Sequence, residues 1–321
     1  FSLLAIVTVI LMYEALQLRQ LGTPWSDVRS GLFGSIAEWA AKRTLSMPGG
    51  RDRAWKPSLL VPVVSAAAIR RSYRFLTAIT RPNGSIHIVG VHSSAQSKRV
   101  AGLPAYEEIF AGEGIFCRVA LVESHDSVQT LQTTMEVFRS AFFRPNILFL
   151  SVNAATDADD LPRILAHAAS NELAVILYMD NPLTALGREQ VLNVWIREQS
   201  PEWNVGLELS NLDLALLLAY QLARNWHAQI NLITVLRDPA DRPAGEEFLN
   251  QLVELGRMPG TTRTIVVDGD FTDYLPEAPQ ADLNIFGLQA TVSLAFMEEM
   301  IEATGSTCVF VRDSGLESAL A

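Results

Sequence analysis

From Leu59 onward the chain alternates short β-branched apolar runs with helical stretches, the pattern of a parallel sheet covered on both faces. The runs are continuous, not alternating apolar and polar, as expected for strands buried on both sides. They predict strands over residues 59–64, 86–91, 116–122, 146–151 and 174–179, with helices over 65–80 and 157–170 that start at Ser65 and Asp157 as caps. The order then recurs: strands are predicted over 203–209, 229–236, 262–267, 282–287 and 307–311, with helices over 212–226, 245–255 and 291–303. Gln229-Ile-Asn-Leu-Ile-Thr-Val follows the pattern of Ser85-Ile-His-Ile-Val-Gly-Val, and Asp282-Leu-Asn-Ile-Phe-Gly that of Asn146-Ile-Leu-Phe-Leu-Ser. The expectation is an α/β protein with two tandem doubly wound parallel five-stranded sheets, each in the order 3-2-1-4-5. Residues 55–180 form the first unit, 203–321 the second, and 181–202 a linker whose Val191-Leu-Asn-Val-Trp195-Ile packs as an extra strand or bridging helix.

What precedes residue 55 has another character. Phe1 to Tyr13 carry no charge, but thirteen helical residues span only about 20 Å against a hydrocarbon core of about 30 Å. Residues 1–21 therefore read as the end of a membrane helix completed upstream, with a buried soluble helix as the alternative. Between Glu14 and Lys56 seven basic residues face four acids, an excess that places the following chain in the cytoplasm. Gly22-Thr-Pro24 breaks the first helix. Val28, Leu32, Phe33, Ile36, Trp39 and Ala40 then recur at helical spacing, so residues 22–54 hold an amphipathic linker helix and a Met47-Pro-Gly-Gly50 loop.

A net charge of −10, with no Lys/Arg tract interleaved with aromatics, argues against a nucleic-acid partner. Cys117 and Cys308 lie in apolar strand-like runs and read as reduced core residues. Asn83-Gly-Ser85 follows Pro82 and reads as a turn.

A doubly wound sheet holds its ligand crevice at the carboxyl ends of its first and fourth strands. In the first unit these ends carry Val63, Val64, Ser65 and Ala66, and Ser151 through Thr156; in the second they carry Ser210 and Asn211, and Gly287 through Thr291. Phosphate cradling calls for glycines there, and Gly287 alone is present. Gly112-Glu-Gly114 lacks the third glycine of a dinucleotide fingerprint and precedes a strand, so it reads as a loop. His87, His92, His125, His167 and His227 show no metal-ligand spacing; His87 and His92, five apart, point to opposite faces. Asp157-Ala-Asp-Asp160 opens a helix, and Glu298-Glu299 faces water. No residue is nominated as catalytic or metal-binding, and the sequence predicts a non-enzyme. The apolar helix over 212–226 offers more surface than one sheet face needs, which predicts self-association.

Four segments in order carry a family resemblance: Trp25-Ser-Asp-Val-Arg-Ser-Gly-Leu; Arg53-Ala-Trp55-Lys-Pro57-Ser-Leu-Leu-Val61; Val191-Leu-Asn-Val-Trp195; and Asn211-Leu-Asp-Leu-Ala-Leu-Leu-Leu-Ala-Tyr-Gln-Leu-Ala-Arg-Asn-Trp226. The chain resembles the C-terminal part of cation-chloride cotransporters, Na-K-Cl-like, from a prokaryote; it departs at Asn193, where the family motif has Asp, and at Ile196, where it has a second Trp. The resemblance implies a tandem universal-stress-protein-like fold and a cytosolic regulatory and homodimerising domain at the cell membrane, cytoplasmic after about residue 22. An absent membrane domain would carry chloride with sodium or potassium. It also implies ATP as a candidate ligand of the first unit, at Val63, Val64 and Ser65, although neither unit carries the glycine motif of ATP-binding stress proteins. The alternative is a nucleotide-sensing stress-protein-like domain on an amino-acid-permease-type transporter.

Overall fold

The computed structural model describes residues 6–8, 10–11, 31, 34–40, 42–43, 55–141, 143–153, 156–199, 203, 212–289 and 291–319. Two units separate, Phe1–Arg53 and Ala54–Ala321. In the first unit the described residues are helical, with an ion pair of 2.7 Å between Lys42 and Glu38 one turn apart. Among the described residues no helix is long and apolar enough to cross a membrane. The membrane-helix end expected over 1–21 and the amphipathic helix expected over 22–54 lie mostly outside the described residues.

In the second unit the apolar runs become strands β1 Ser58–Val63, β2 Ser85–His92, β3 Phe116–Glu123, β4 Ile147–Ser151, β5 Ala174–Met179, β6 Val191–Trp195, β7 Gln229–Leu236, β8 Arg263–Asp268, β9 Leu283–Gly287 and β10 Thr307–Arg312. The main helices are α1 Ala66–Thr80, α2 Ala105–Gly112, α3 Ser127–Arg139, α4 Asp160–Ser170, α5 Asp213–Trp226, α6 Arg242–Leu255 and α7 Leu294–Thr304. The strands lie in the order β3-β2-β1-β4-β5-β10-β9-β6-β7-β8. Each half thus has the order 3-2-1-4-5, parallel throughout.

The two five-stranded sheets do not stand apart. They join edge to edge into one ten-stranded sheet through the antiparallel pair β5–β10, in register from Cys308 opposite Met179 to Arg312 opposite Val175. All six residues of β5 are buried, as are the first five of β10. Strands so apolar on both faces would be costly edges, and pairing them satisfies their backbone groups and covers their side chains.

The second half begins earlier than the pattern predicts. Its first strand is β6, inside the expected 181–202 linker; Trp203 is not in a strand, and residues 204–209 of the predicted 203–209 strand lie outside the described residues. Asn193 disguises β6, because a polar residue in the middle of a five-residue run reads as an interruption. In the sheet it is buried and belongs to a row of amides: Asn231 Nδ2 donates to Asn193 Oδ1 at 2.8 Å, and Asn193 Nδ2 to the Pro279 carbonyl at 2.7 Å. Gln229 Nε2 extends the row to Asn231 Oδ1 at 2.8 Å. Asn193→Leu is expected to cost about 2–3 kcal/mol, since it strands a buried donor on Asn231 and a carbonyl at Pro279. The midpoint of urea unfolding measures it.

The helices cover both faces. One face carries α1, α2, α5 and α6 over a core that includes Phe75, Phe110, Leu218 and Phe248; the other carries α3, α4 and α7 over Leu131, Leu165, Met297 and Phe310. Here α5 departs from expectation. Leu214, Leu216, Leu218 and Leu222 are all buried within the monomer, so this helix does not supply the surplus apolar surface predicted for self-association. It packs against α1 across the junction of the halves, where Asn225 Nδ2 donates to the Arg81 carbonyl at 3.1 Å. Two caps also differ. Ser65 holds the N-cap position of α1 without a side-chain hydrogen bond, and Asp157 accepts from Asp159 N at 2.9 Å in a turn before α4, whose N-cap is Asp159.

Candidate functional site

Both crevices form where the strand order reverses. At the first, β1 pairs with β4 through Leu59 opposite Ile147 and Leu60 opposite Leu148; Val63, Val64 and Ser65 lie at the exit of β1, and Ser151, Val152 and Asn153 at the exit of β4. Val63 is buried, Val64 is 56% exposed, and Ser65 is half-buried, its carbonyl accepting from Ala68 N at 3.2 Å. On the β4 side Val152 N donates to the Tyr178 carbonyl at 2.8 Å and Asn153 N to Thr156 Oγ1 at 3.0 Å. The three residues nominated from the sequence lie at the carboxyl end of β1, and the Ser65 side chain makes no capping hydrogen bond to α1.

The second crevice lies where β6 pairs with β9. Because β6 is the first strand of its half, its carboxyl end is Trp195 through Gln199, and not Ser210 and Asn211, which lie outside the described residues. Together with Arg237 beyond β7 and Gly287 through Gln289 and Thr291 beyond β9, these residues line a cleft of about 1020 Å³. Its floor is aromatic. Trp195 stacks on Phe286 with ring centroids 5.7 Å apart and planes at 9°, and Phe271 meets Trp195 edge-on at 5.4 Å. Trp195 is fixed in turn by its Nε1, which donates to Asn284 Oδ1 at 2.9 Å. Arg197, Glu198 and Arg237 stand among the lining residues.

At the α5 side of this crevice lies a feature that the sequence patterns do not nominate. Asp313, the residue after β10, accepts from the first-turn amides of α5: Oδ2 from Asp213 N at 3.1 Å and Oδ1 from Leu214 N at 3.0 Å. An amide-rich helix start at a switch point is where such folds receive a ligand's anion. Here the chain supplies its own carboxylate. Asp180 follows β5 as Asp313 follows β10, so an acid repeated at the end of each fifth strand is the signal that could have found it.

The other titratable residues are dispersed. His87 is buried between Phe116 and Phe138, with centroids 6.1 and 5.0 Å away, and burial holds its imidazole below the usual histidine range. His167 Nε2 lies 3.4 Å from the Glu136 carboxylate, His227 is the left-handed C-cap of α5 at φ 56°, and His125 is exposed. Both cysteines are free and buried, and burial pushes each thiol up to about 12. They are poor nucleophiles at neutral pH. Gly114, at φ 75°, turns the chain between α2 and β3, so the Gly112-Glu-Gly114 segment is a loop. Among the described residues no group of three or more His, Cys, Asp or Glu side chains is placed to hold a metal ion.

The doubled 3-2-1-4-5 sheet is the architecture of tandem universal stress proteins. A universal stress protein from Archaeoglobus fulgidus shares the fold at 12% identity, covering 80% of this chain and 96% of its own, with a TM-score of 0.52. A functionally unknown protein from Pseudomonas aeruginosa PAO1 does so at 12% identity, 81% and 94% coverage and a TM-score of 0.52. The sequence narrows the class further. Residues 61–186 match the family model for the first C-terminal domain of prokaryotic cation-chloride cotransporters, and residues 187–320 the model for the second. The solved cytoplasmic domain of a prokaryotic cation chloride cotransporter is 33% identical, covering 83% of this chain and 99% of its own, with a TM-score of 0.74. No curated protein matches the sequence. The chain belongs to the prokaryotic cation-chloride cotransporter C-terminal domain family.

Proposed function

We propose that this chain is the cytosolic regulatory and dimerising module of a secondary-active transporter that moves chloride with sodium or potassium, the transport itself being carried by a membrane domain of the same protein. The observation that carries this reading is the match to both cotransporter C-terminal domain models over residues 61–320, on a scaffold like that of a relative's cytoplasmic domain. The module is non-catalytic in this reading. Its work is to hold surfaces in register, for which one continuous sheet with helices on both faces is suited.

Self-association draws its support from the β3 edge. Among the described residues this eight-residue strand pairs with β2 alone; Phe116 is 46% and Leu121 43% exposed, and Phe143, 55% exposed, packs on Phe116 at 5.3 Å. Glu107 Oε1 takes the Val119 N–H at 2.7 Å and so blunts the edge at that point; the support for pairing rests on the exposed Phe116, Leu121 and Phe143 side chains. Sedimentation velocity on residues 55–321 is expected to show a dimer that Leu121→Lys shifts towards monomer; a wild-type protein that stays monomeric at high concentration would remove dimerisation from the proposal.

A second reading, nucleotide sensing, is favoured by the first crevice, where Val63, Val64 and Ser65 border an α1 start at which the Ser65 side chain makes no capping hydrogen bond. Calorimetric titration of ATP separates the two readings. Micromolar binding that is lost with Ser65→Trp would favour the nucleotide sensor, and no heat would favour the scaffold.

A further inference from the structure

Two arginines and a set of rings share the second crevice. Arg197 follows β6 and Arg237 follows β7; both are exposed, both line the cleft, and among the described residues neither has an ion-pair partner. The acids beside them in the chain and the sheet are engaged elsewhere. Asp238 Oδ1 accepts from Ala240 N at 2.9 Å, Asp270 Oδ1 from Thr272 N at 2.8 Å, and Asp268 is held by the Arg242 guanidinium at 2.7 Å. Among the described lining residues the one carboxylate is Glu198.

Much of the remaining wall is aromatic. Trp195 and Phe286 are buried and stacked, while Phe271 and Phe296 are only half-buried and leave part of their rings to the cleft. Open amides, by contrast, are scarce. At the start of α5, whose N-cap residue Leu212 lines the cleft, the Asp213 and Leu214 N–H groups are taken by Asp313. At the start of α7 Ser293 Oγ takes Phe296 N at 3.3 Å. Polyphosphates bind such folds through open helix starts and successive backbone N–H groups. In this crevice they would meet filled amides and, at α5, a carboxylate, so anion recognition falls to the two guanidinium groups.

We propose that the second crevice is a binding site for an aromatic monocarboxylate, its ring against Phe271 and Phe296 and its carboxylate held by Arg197 and Arg237. The proposal goes beyond the cotransporter reading, to which it would add a signal for the module to read. The planar guanidinium fork matches a carboxylate through paired, charge-assisted hydrogen bonds. The lining sets the ligand's charge: Arg197 and Arg237 against Glu198 leave one positive charge to balance. Size agrees as well, since a cleft of about 1020 Å³ stands at the upper end of the range of about 300–1,000 Å³ that small-molecule sites occupy, and such sites pair apolar walls with a few placed polar groups.

Calorimetric titration of the full chain with naphthoate tests this, with naphthamide and acetate as the neutral and ringless comparisons. Naphthoate is expected to bind, and both comparisons to bind at least roughly tenfold more weakly, because each lacks one half of the recognition. Arg197→Gln and Arg237→Gln are each expected to weaken naphthoate roughly tenfold, the loss of a hydrogen bond to a charged group, and the double variant to abolish binding. Both side chains are exposed, so the variants are expected to melt at the wild-type temperature. ATP added in excess is expected to leave naphthoate binding unchanged. Absence of heat from naphthoate at millimolar concentration, displacement of naphthoate by ATP, or a double variant that melts normally and binds like the wild type would overturn the proposal.

Discussion

Phe310→Pro is expected to unfold both halves of the sheet in one transition, at a cost on the order of 5 kcal/mol. Phe310 sits in the middle of β10, opposite Leu177 of β5 on one side and Phe286 of β9 on the other. Proline there removes a ladder donor and leaves a partner carbonyl bare, worth about 1–3 kcal/mol. It also deletes a ring stacked on Phe286 at 5.4 Å and packed edge-on against Phe296 at 6.3 Å, and loss of a buried aromatic costs about 3–5 kcal/mol. Together these approach the entire stability of an ordinary domain. Because β5 and β10 are, among the described residues, the only strands joining the halves, the loss should register equally in probes placed in each half. Two separate thermal transitions, one of them at the wild-type temperature, would mean that the halves are independent domains.

Phe75→Ala should come next in size, lowering stability by roughly 3–5 kcal/mol in chemical denaturation. Phe75 projects from α1 into the first half, where its ring lies 5.1 Å from Tyr178 and 5.9 Å from Phe149, and none of the three rings is more than marginally exposed. Three large side chains from three different elements leave little freedom to collapse into the space of a missing ring, which places the cost at the upper end for an aromatic deletion. A loss under 1 kcal/mol would show that this cluster is loosely packed.

Much of this architecture is legible in the sequence, because strands buried on both faces are written as continuous apolar runs. The predicted bounds of β5 and β7 match residue for residue, those of β3, β4, β9 and β10 differ by one residue at one end, and those of β1, β2 and β8 by one residue at each end. What stays hidden depends on contacts between distant segments. β6 is masked by Asn193, whose amide is tolerated in the core only because Asn231 and Pro279 meet it there. The β5–β10 seam has no local signature, since an apolar strand that ends a sheet and one that joins two sheets read alike. The second crevice moved with β6, from Ser210 and Asn211 to Trp195 through Gln199. Asp313 escaped notice for a similar reason: an acid after a strand reads as solvent-facing until the fold places it on the first turn of α5. The bounds of β1 and of the helix after it were legible because both are strongly patterned.

The proposal that this chain is a working part of a cotransporter is tested most directly by chloride-dependent cation uptake in the transporter to which we assign it, with and without residues 55–321, at matched abundance in the membrane. A regulatory and dimerising module predicts that uptake falls when the ten-stranded sheet is deleted, and that Phe310→Pro, which breaks its seam, reproduces the fall. Uptake that is undiminished by the deletion would contradict the account.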